Sequence, residues 1–355
     1  MAVFDHIEFA GHERVIHVAD GVTRLRAIIA IHDRTLGPAV GGCRIYPYAT
    51  ETGALSDVLR LSKGMTYKTA LAGLPFGGAK SVIIADPADK TPELIRAFGA
   101  AVNELNGQYW TGEDINFGTA DAEVLASVTP YVLGRTKGAA RSGDPSPFTA
   151  AGVFAGMKGA LHHVFGSSDL AGRRVAIQGI GNVGYNLARL VTEAGGTIVV
   201  SDVRAESTER AVRELGAGVA TPDAIFDELC DIFAPCAMGA TISEETVPRL
   251  KSRIVCGAAN NQLSSPQVGQ MLLDRGIAYA PDYVVNAGGI LNAFGDFSGD
   301  YDVAAVLPKI EAIAGTVGQI LEGSARQGRP SGEIADEMAE RVLAEARARV
   351  MKGSC

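Results

Sequence analysis

The chain has 355 residues, 47% hydrophobic and 20% charged, an ordinary globular composition at a length that suits two domains. A formal net charge of −8 argues against a nucleic-acid backbone as the main partner. No apolar run approaches the roughly 20 residues a membrane-spanning helix needs, and Met1–Ala10, with Asp5 and Glu8, lacks a basic-then-apolar signal pattern.

In chain order, Leu25–Ile31 (LRAIIAI) and Ser81–Ala85 (SVIIA) read as buried strands. Between them Leu55, Val58, Leu59 and Ser62 recur at helical spacing, and Pro92 opens a second helix at its first turn. Tyr109–Trp110 reads as a short aromatic strand. The small, polar, proline-bearing segment Lys137–Pro147 reads as a domain boundary, followed by a helix from Thr149 to Val164. A βαβ unit comes next: strand Arg174–Gln178, helix Asn182–Ala194 and strand Thr197–Ser201. Further short strands are expected at Asp231–Ala234, Ile254–Gly257 and Ala278–Ala280. This alternation implies an open, mostly parallel sheet. Ser331–Lys352 reads as one amphipathic helix with Ser331 as N-cap and an acidic first turn. The fold class is therefore α/β with two domains: residues 1–140, and a Rossmann-like doubly wound domain over 141–330.

Gly179-Ile180-Gly181-Asn182-Val183-Gly184 fits G-x-G-x-x-G and lies between a predicted strand and a predicted helix, the context that gives the pattern meaning. The first glycine allows a tight turn, the second lets backbone approach a pyrophosphate, and the third permits close packing of the helix. The helix N-terminus adds free N–H groups and partial positive charge. Asp202 ends the next strand, where a carboxylate accepts from a ribose 2′-hydroxyl and repels a 2′-phosphate. That points to NAD, with Arg204 nearby as the residue that could admit NADP.

Upstream, Gly37–Gly42 (GPAVGG), Lys68, Pro75–Lys80 (PFGGAK) and Gly112-Glu113-Asp114 need explanation. Lysines in apolar, glycine-rich surroundings are unusual, because an unpartnered buried cation is costly. Lys68 stands near the end of a helix, and Lys80 immediately precedes the strand SVIIA. Either alone is most simply a solvated lysine; two beside glycine turns, with an acid after an aromatic strand, make a stronger constellation.

These segments resemble the glutamate/leucine/phenylalanine/valine dehydrogenase superfamily, in its hydrophobic amino acid branch. The similarity runs from about Arg24 to the last helix, through GMTYK (64–68), PFGGAK (75–80), TGEDIN (111–116), APCAMGA (234–240), GAANNQL (257–263) and APDYVVNAGG (280–289). Ala79 departs from the pattern, where many relatives carry glycine. The resemblance implies an NAD-dependent enzyme that deaminates an amino acid to its 2-oxo acid and ammonia, self-associated and acting without nucleic acid or membrane. It makes 1–140 the substrate domain, with the helix 331–355 packing back on it, and 141–330 the NAD domain. It implies catalytic roles for Lys80 and Asp114, and a grip on the substrate α-carboxylate for Lys68. Gly41 and Gly42 would lie close to the substrate, and Asn261 near substrate and nicotinamide ribose, with Asn260 as its neighbour. Thr149 would bond the carboxamide, and Cys236 and Ala237 would lie near the adenosine end. Val40, Gly112, Ile290 and Ala293 would line the side-chain pocket. Deamination needs several proton transfers, which suit a lysine and a carboxylate as exchanging groups. Val40 stands where glutamate enzymes carry a lysine, so the substrate is expected to be leucine, valine or phenylalanine rather than glutamate. Gly112 and Ala293 leave room for an aromatic ring.

No H-E-x-x-H spacing is present, so no metal site is expected. Five cysteines, at 43, 230, 236, 256 and 355, form no C-x-x-C pair and suit reduced thiols in a cytoplasmic setting. Two other readings stay open: a catalytically silent NAD-binding sensor on this scaffold, and another hydride-transfer dehydrogenase.

Overall fold

The computed structural model describes residues 3–134, 142–298 and 302–353, so residues 137–141 of the expected boundary lie outside the described residues. The chain forms two compact units: Met1–Gly143 with Ala293–Tyr301 and Ala339–Cys355, and Asp144–Asn292 with Asp302–Met338.

The first unit holds a six-stranded mixed sheet of β1 (Arg14–Asp20), β2 (Leu25–Asp33), β3 (Ala39–Val40), β4 (Cys43–Tyr46), β5 (Gly77–Ile84) and β6 (Tyr109–Trp110). β2 runs antiparallel to β1 and β5, while β3 and β4 follow one another along β5 in parallel, and β3 also pairs with β6. Helix α1 (Glu51–Leu71) covers one face, where Ala54, Leu55, Val58 and Leu59 meet Ile28, Ala30 and Val82. On the other face Ile29, Ile31, Ala79 and Ile83 share a core with Leu94 and Phe98 of α2 (Pro92–Glu104) and Leu125 of α3 (Thr119–Ala126). Burial on both faces is why these strands read as unbroken apolar runs rather than as alternation. Pro92 does open α2, with the Thr91 side chain accepting from the Leu94 N–H.

β5 begins four residues before the run SVIIA, so Lys80 lies inside the strand and not ahead of it. The glycines that read as a loop are packing devices. A Cβ on Gly78 would stand 2.0 Å from the Thr66 nitrogen of α1, and one on Gly77 would stand 2.0 Å from the Asp33 carbonyl oxygen.

The second unit is a doubly wound sheet of six parallel strands: β7 (Arg174–Gln178), β8 (Thr197–Ser201), β9 (Gly218–Val219), β10 (Ile232–Pro235), β11 (Ile254–Val255) and β12 (Ala278–Tyr279). Their order is β12-β11-β10-β7-β8-β9, reversing direction about β7. Its helices are α4 (Ser146–Phe165), α5 (Asn182–Glu193), α6 (Ala205–Leu215), α7 (Pro266–Asp274), α8 (Asp282–Val285), α9 (Gly288–Ser298), α10 (Val303–Glu311), α11 (Ile313–Gln327) and α12 (Ser331–Gly353). The residues of α9 up to Asn292 and of α12 up to Met338 belong to this unit, and the remainder of each to the first.

Three expectations need correction here. Helix α4 starts three residues before Thr149, whose N–H and hydroxyl both donate to the Pro145 carbonyl, so Thr149 lies inside the helix and not at its start. Ser331 is the first helical residue, and its hydroxyl donates to the Tyr279 carbonyl at 2.6 Å instead of accepting as an N-cap. Val303–Gln327, with a mean hydropathy of 1.3, is long and apolar enough by length and composition to cross a membrane. It includes the break between α10 and α11, carries Lys309 and Glu311, and buries Val306, Ile310, Val317, Ile320 and Leu321. Gly159 of α4 lies so close that a Cβ there would be 2.2 Å from the Ala314 oxygen. Burial follows one stripe, so the pair packs one face on α4 and leaves most of its residues exposed or half-buried.

Candidate active site

In the first unit, side chains alternate across β5, so Gly78, Lys80 and Val82 face α1 while Ala79 and Ile83 face the other core. Lys80 is buried, and its Nζ is ion-paired with Asp114 Oδ2. The other carboxylate oxygen, Oδ1, accepts from Arg44 Nε at 2.8 Å. Arg44 Nη1 donates to Asp57 Oδ2 at 2.8 Å, and the Tyr48 hydroxyl donates to the same oxygen at 2.5 Å. Two cations and two anions thus form one nearly dry cluster, and the more exposed Arg60 approaches the other Asp57 oxygen at 3.5 Å. Burial opposes ionisation of Asp114, but the charges and hydrogen bonds of Lys80 and Arg44 outweigh it and hold its carboxyl well below the usual carboxylate range. Arg44 and Asp57 are partners the sequence did not disclose. The available signal was position: Arg44 is the one charged residue of β4, between Cys43 and Ile45, which both face the core.

Gly41 and Gly42 make this cluster buildable. A Cβ on Gly41 would lie 1.7 Å from the Ala79 oxygen, and one on Gly42 would lie 2.2 Å from the Glu113 oxygen and 3.1 Å from Asp114 Cβ. Without side chains there, residues 112–115 run beside β4, with Cys43 N–H donating to the Gly112 oxygen and Ile45 N–H to the Ile115 oxygen. Asp114 then opens a tight turn in which its N–H and carbonyl both bond Phe117, and Asn116 takes a left-handed φ of 60°.

Helix α1 crosses β5 with Thr66 on Gly78, so the backbone of Lys68 stands just beyond that crossing, on the Lys80 face. On the same face Val40 pairs in register with Gly78 and Trp110, and Val40 is fully buried. Trp110 packs edge-on against Phe297 at 4.9 Å and Tyr131 at 5.4 Å, and Phe297 against Phe76 at 4.7 Å. A Cβ on Gly112 would touch the Leu133 oxygen at 3.3 Å, so that glycine serves packing as well as space. Ala293, half-buried, belongs to this unit, and Ile290, also half-buried, to the second.

In the second unit the three glycines of the loop stand in three different surroundings. Gly179 has φ +91° and backs onto Ala237, whose nitrogen would lie 2.7 Å from a Cβ. A Cβ on Gly184 would lie 2.0 Å from the Gly179 oxygen. Gly181, the N-cap of α5, is different: among the described residues beyond its chain neighbours, its Cβ position meets one heavy atom within 4 Å, Arg204 Nη2 at 3.7 Å. An open Cβ direction at a helix N-terminus, beside the half-buried Val183 and exposed Asn182, fits close approach of a dinucleotide pyrophosphate. Asp202 accepts from the Ile180 and Arg204 N–H groups, both at 2.9 Å. Partial burial opposes its ionisation, and those two backbone donors outweigh the effect, holding its carboxyl low.

The turn following β11 places Asn260 exposed and Asn261 half-buried, the latter at φ +52° with its carbonyl accepting from the Ala240 N–H at 2.7 Å. Asn260 Oδ1 accepts from Nδ2 of Asn286, a buried residue not singled out in the sequence, at 2.7 Å. Gly289 allows Thr149 Oγ1 close by, since a Cβ there would lie 2.7 Å from it. Cys236 is half-buried beside the glycine loop, with its N–H on the Gln178 oxygen; desolvation pushes its thiol up to about 12, which disfavours a reactive thiolate. Among the described residues no group of three His, Cys, Asp or Glu could hold a metal ion.

Two family models match the chain. One, described as Glu/Leu/Phe/Val dehydrogenase, dimerisation domain, matches residues 12–136; the other, Glutamate/Leucine/Phenylalanine/Valine dehydrogenase, matches 143–206 and 204–300. Leucine dehydrogenase of Bacillus subtilis (strain 168) is 46% identical over 341 residues, covering 96% of this chain and 93% of that protein. Valine dehydrogenase of Streptomyces virginiae is 43% identical over 346 residues, covering 96% of each. The crystal structure of L-tryptophan dehydrogenase from Nostoc punctiforme aligns with a TM-score of 0.84 at 42% identity, covering 98% of this chain and 100% of that one.

Proposed function

Because the chain belongs to the Glu/Leu/Phe/Val dehydrogenase family, we propose that it is an NAD-dependent enzyme of hydrophobic L-amino acids. It converts leucine, valine or phenylalanine reversibly to the 2-oxo acid and ammonia. The observation that carries this reading is the buried Lys80–Asp114 pair on the face of β5 that α1 crosses just before Lys68. NAD would supply the acceptor for the hydride that leaves the substrate Cα. Gly179–Gly184, Asp202, Thr149, Asn260, Cys236 and Ala237 are the residues that would hold it. Lys68 binds the α-carboxylate and so orients Cα. Lys80 takes a proton from the attacking water and polarises the oxygen that becomes the 2-oxo group. Asp114 exchanges protons with the departing nitrogen. The intact pair also speaks against a silent dinucleotide sensor.

Substrate class follows from Val40. It is sealed between Gly78 and Trp110 in register, and a second substrate carboxylate there would be buried without a cation, at a cost of several kcal/mol. The rings of Phe76, Trp110 and Phe297 make that end of the unit apolar and aromatic. Relatives named for leucine, valine and tryptophan are consistent with a hydrophobic side chain without choosing among them. Self-association, through a region matched by a model named for dimerisation, and a cytoplasmic setting are part of the proposal.

The test is kcat/KM for leucine, valine, phenylalanine, tryptophan and glutamate, each with NAD and NADP. Activity on one or more of leucine, valine and phenylalanine with NAD, and little on glutamate, is expected. A preference for glutamate would overturn the Val40 argument; no turnover of any amino acid would overturn the function.

A further inference from the structure

Arg44 and Asp57 are the members of the buried cluster that the proposed chemistry leaves unused, and Arg44 is the one that touches Asp114. It alternates onto the α1 face of β4, and its guanidinium bridges two carboxylates: Nε to Asp114 Oδ1 and Nη1 to Asp57 Oδ2, each at 2.8 Å. Its side chain is 11% exposed, as dry as that of Asp114. Such a span needs a rigid fork; the single ammonium of a lysine cannot reproduce it. Lys80 holds only the other oxygen, Oδ2. The carboxylate is therefore fixed in its plane by one cation that has no proton to exchange and one that has.

We propose that Arg44 is a positioning residue for the reaction, keeping Asp114 oriented toward Lys80, and anionic until Asp114 takes its proton from the substrate nitrogen, while Lys80 releases and regains its own. The proposal rests on the amino acid dehydrogenase reading of this site. When Lys80 becomes neutral, the Lys80–Asp114 attraction falls away. Without a second cation, Asp114 would compete for that proton and the pair would collapse into a neutral hydrogen bond. Arg44 prevents this, and Asp57, fastened by the Tyr48 hydroxyl, keeps Arg44 in place. The titratable groups facing it are Lys80 on β5, Asp57 on α1, Asp114 and Tyr48, with Arg60 of α1 on the other Asp57 oxygen; the buried Cys43 thiol lies on the opposite face of β4.

The sign of the effect distinguishes this from mere packing. Removing a cation makes every remaining proton in the cluster harder to lose; removing an anion makes it easier. Arg44→Gln should lower kcat on the order of 10²-fold at neutral pH, leave dinucleotide binding intact, and move the kcat/KM profile toward higher pH. Asp57→Asn should move the profile the opposite way. Arg44→Lys keeps the charge without the bridge and should recover about tenfold of the loss. A loss in Arg44→Gln with the profile unmoved, or no gain in Arg44→Lys, would reduce Arg44 to a structural residue. Carbon-13 NMR of aspartate-labelled protein, with Asp114 assigned from Asp114→Asn, provides a readout independent of turnover. The Asp114 titration should rise by about one pH unit or more in Arg44→Gln, and in Arg44→Lys by less. An unmoved titration overturns the proposal even if the enzyme is active. A shifted titration in a protein that turns over no amino acid leaves Arg44's hold on Asp114 standing and overturns the functional reading instead.

Discussion

Under the proposed function, the two units prepare their parts of the chemistry by opposite means. In the first, function is concentrated in side chains: Lys80, Asp114, Arg44 and Asp57 form a nearly dry cluster whose members come from β4, β5, α1 and the turn after β6. In the second, function is concentrated in backbone: a turn at Gly179, an open approach at Gly181 and a close contact at Gly184, all within six residues. A side-chain cluster depends on protonation and on distant elements arriving together. A backbone cradle depends on the absence of atoms, and is sensitive to volume but not to pH.

The largest effect that can break this contrast is chemical. Lys80→Ala should lower turnover on the order of 10³-fold while dinucleotide affinity, measured by fluorescence titration, is unchanged. Near-normal turnover would show that the cluster is not where the chemistry happens, and a lost affinity would show that the two units are not separable in function.

The next concerns pH and stability. Burial pushes His12 down to about 4 from an ordinary 6.5, and lowers its ring neighbour His32 as well; the two rings lie 4.8 Å apart. His12 Nε2 lies 3.0 Å from both the Leu59 oxygen and Ser62 Oγ. Above pH 6.5 neither the folded nor the unfolded chain protonates His12. As pH falls from 6.5 to about 4 only the unfolded chain gains that proton, so stability is lost across that window, by about 3 kcal/mol. Asp114 adds a further loss at lower pH: its stabilisation is present above the unfolded carboxyl value of about 3.9 and disappears as pH falls toward its depressed folded value. All three groups sit in the first unit. Hydrogen exchange, corrected for intrinsic rates, should show protection falling there first between pH 6.5 and 4, and His12→Gln should flatten the slope. Equal loss in both units, or an unchanged slope in the variant, would refute the localisation.

The same contrast explains what was legible in the sequence. The cradle could be read because its six residues are contiguous and flanked by a strand and a helix. The resemblance pointed to Lys80 and Asp114, but residue spacing did not pair them: they are 34 positions apart, and Arg44 is 70 from Asp114. Lys80 was misplaced ahead of its strand because the Gly77-Gly78 run looks like a loop. Its real cause, the close passage of Thr66 and Asp33, is tertiary. The apolar stretch Val303–Gln327 went unremarked because its charges interrupt any run, yet its buried stripe is what packs on α4. Asn286 escaped notice for the same reason as Arg44, since its partner is 26 residues away.

The cradle itself can be sharpened by two glycine variants with different signatures. Gly184→Ala places a Cβ 2.0 Å from a backbone oxygen and should cost about 1–3 kcal/mol of stability, read as a lower Tm. Gly181→Ala meets nothing closer than the Arg204 guanidinium at 3.7 Å, so Tm should hold. If a pyrophosphate enters there, dinucleotide affinity should fall about tenfold, roughly 1.4 kcal/mol. Unchanged affinity would mean the open direction at Gly181 is not the approach.

The smallest effect is the choice between NAD and NADP, because Asp202 serves two ends. Its carboxylate accepts from the Ile180 N–H and so fastens the glycine loop, and its charge repels a 2′-phosphate. Arg204, with its side chain 64% exposed, stands ready to attract one. A single substitution confounds these duties, so two are needed. Asp202→Asn keeps an oxygen for the Ile180 N–H and removes the charge; Asp202→Ala removes both. If charge sets the preference, both variants should narrow the NAD over NADP ratio in kcat/KM severalfold, to a similar extent, since both uncover Arg204 equally. If fastening the loop matters as well, Asp202→Ala alone should weaken NAD binding and lower Tm. A wild-type protein that uses both cofactors equally would show that Arg204 already outweighs Asp202, and the charge argument would then fail at its first step.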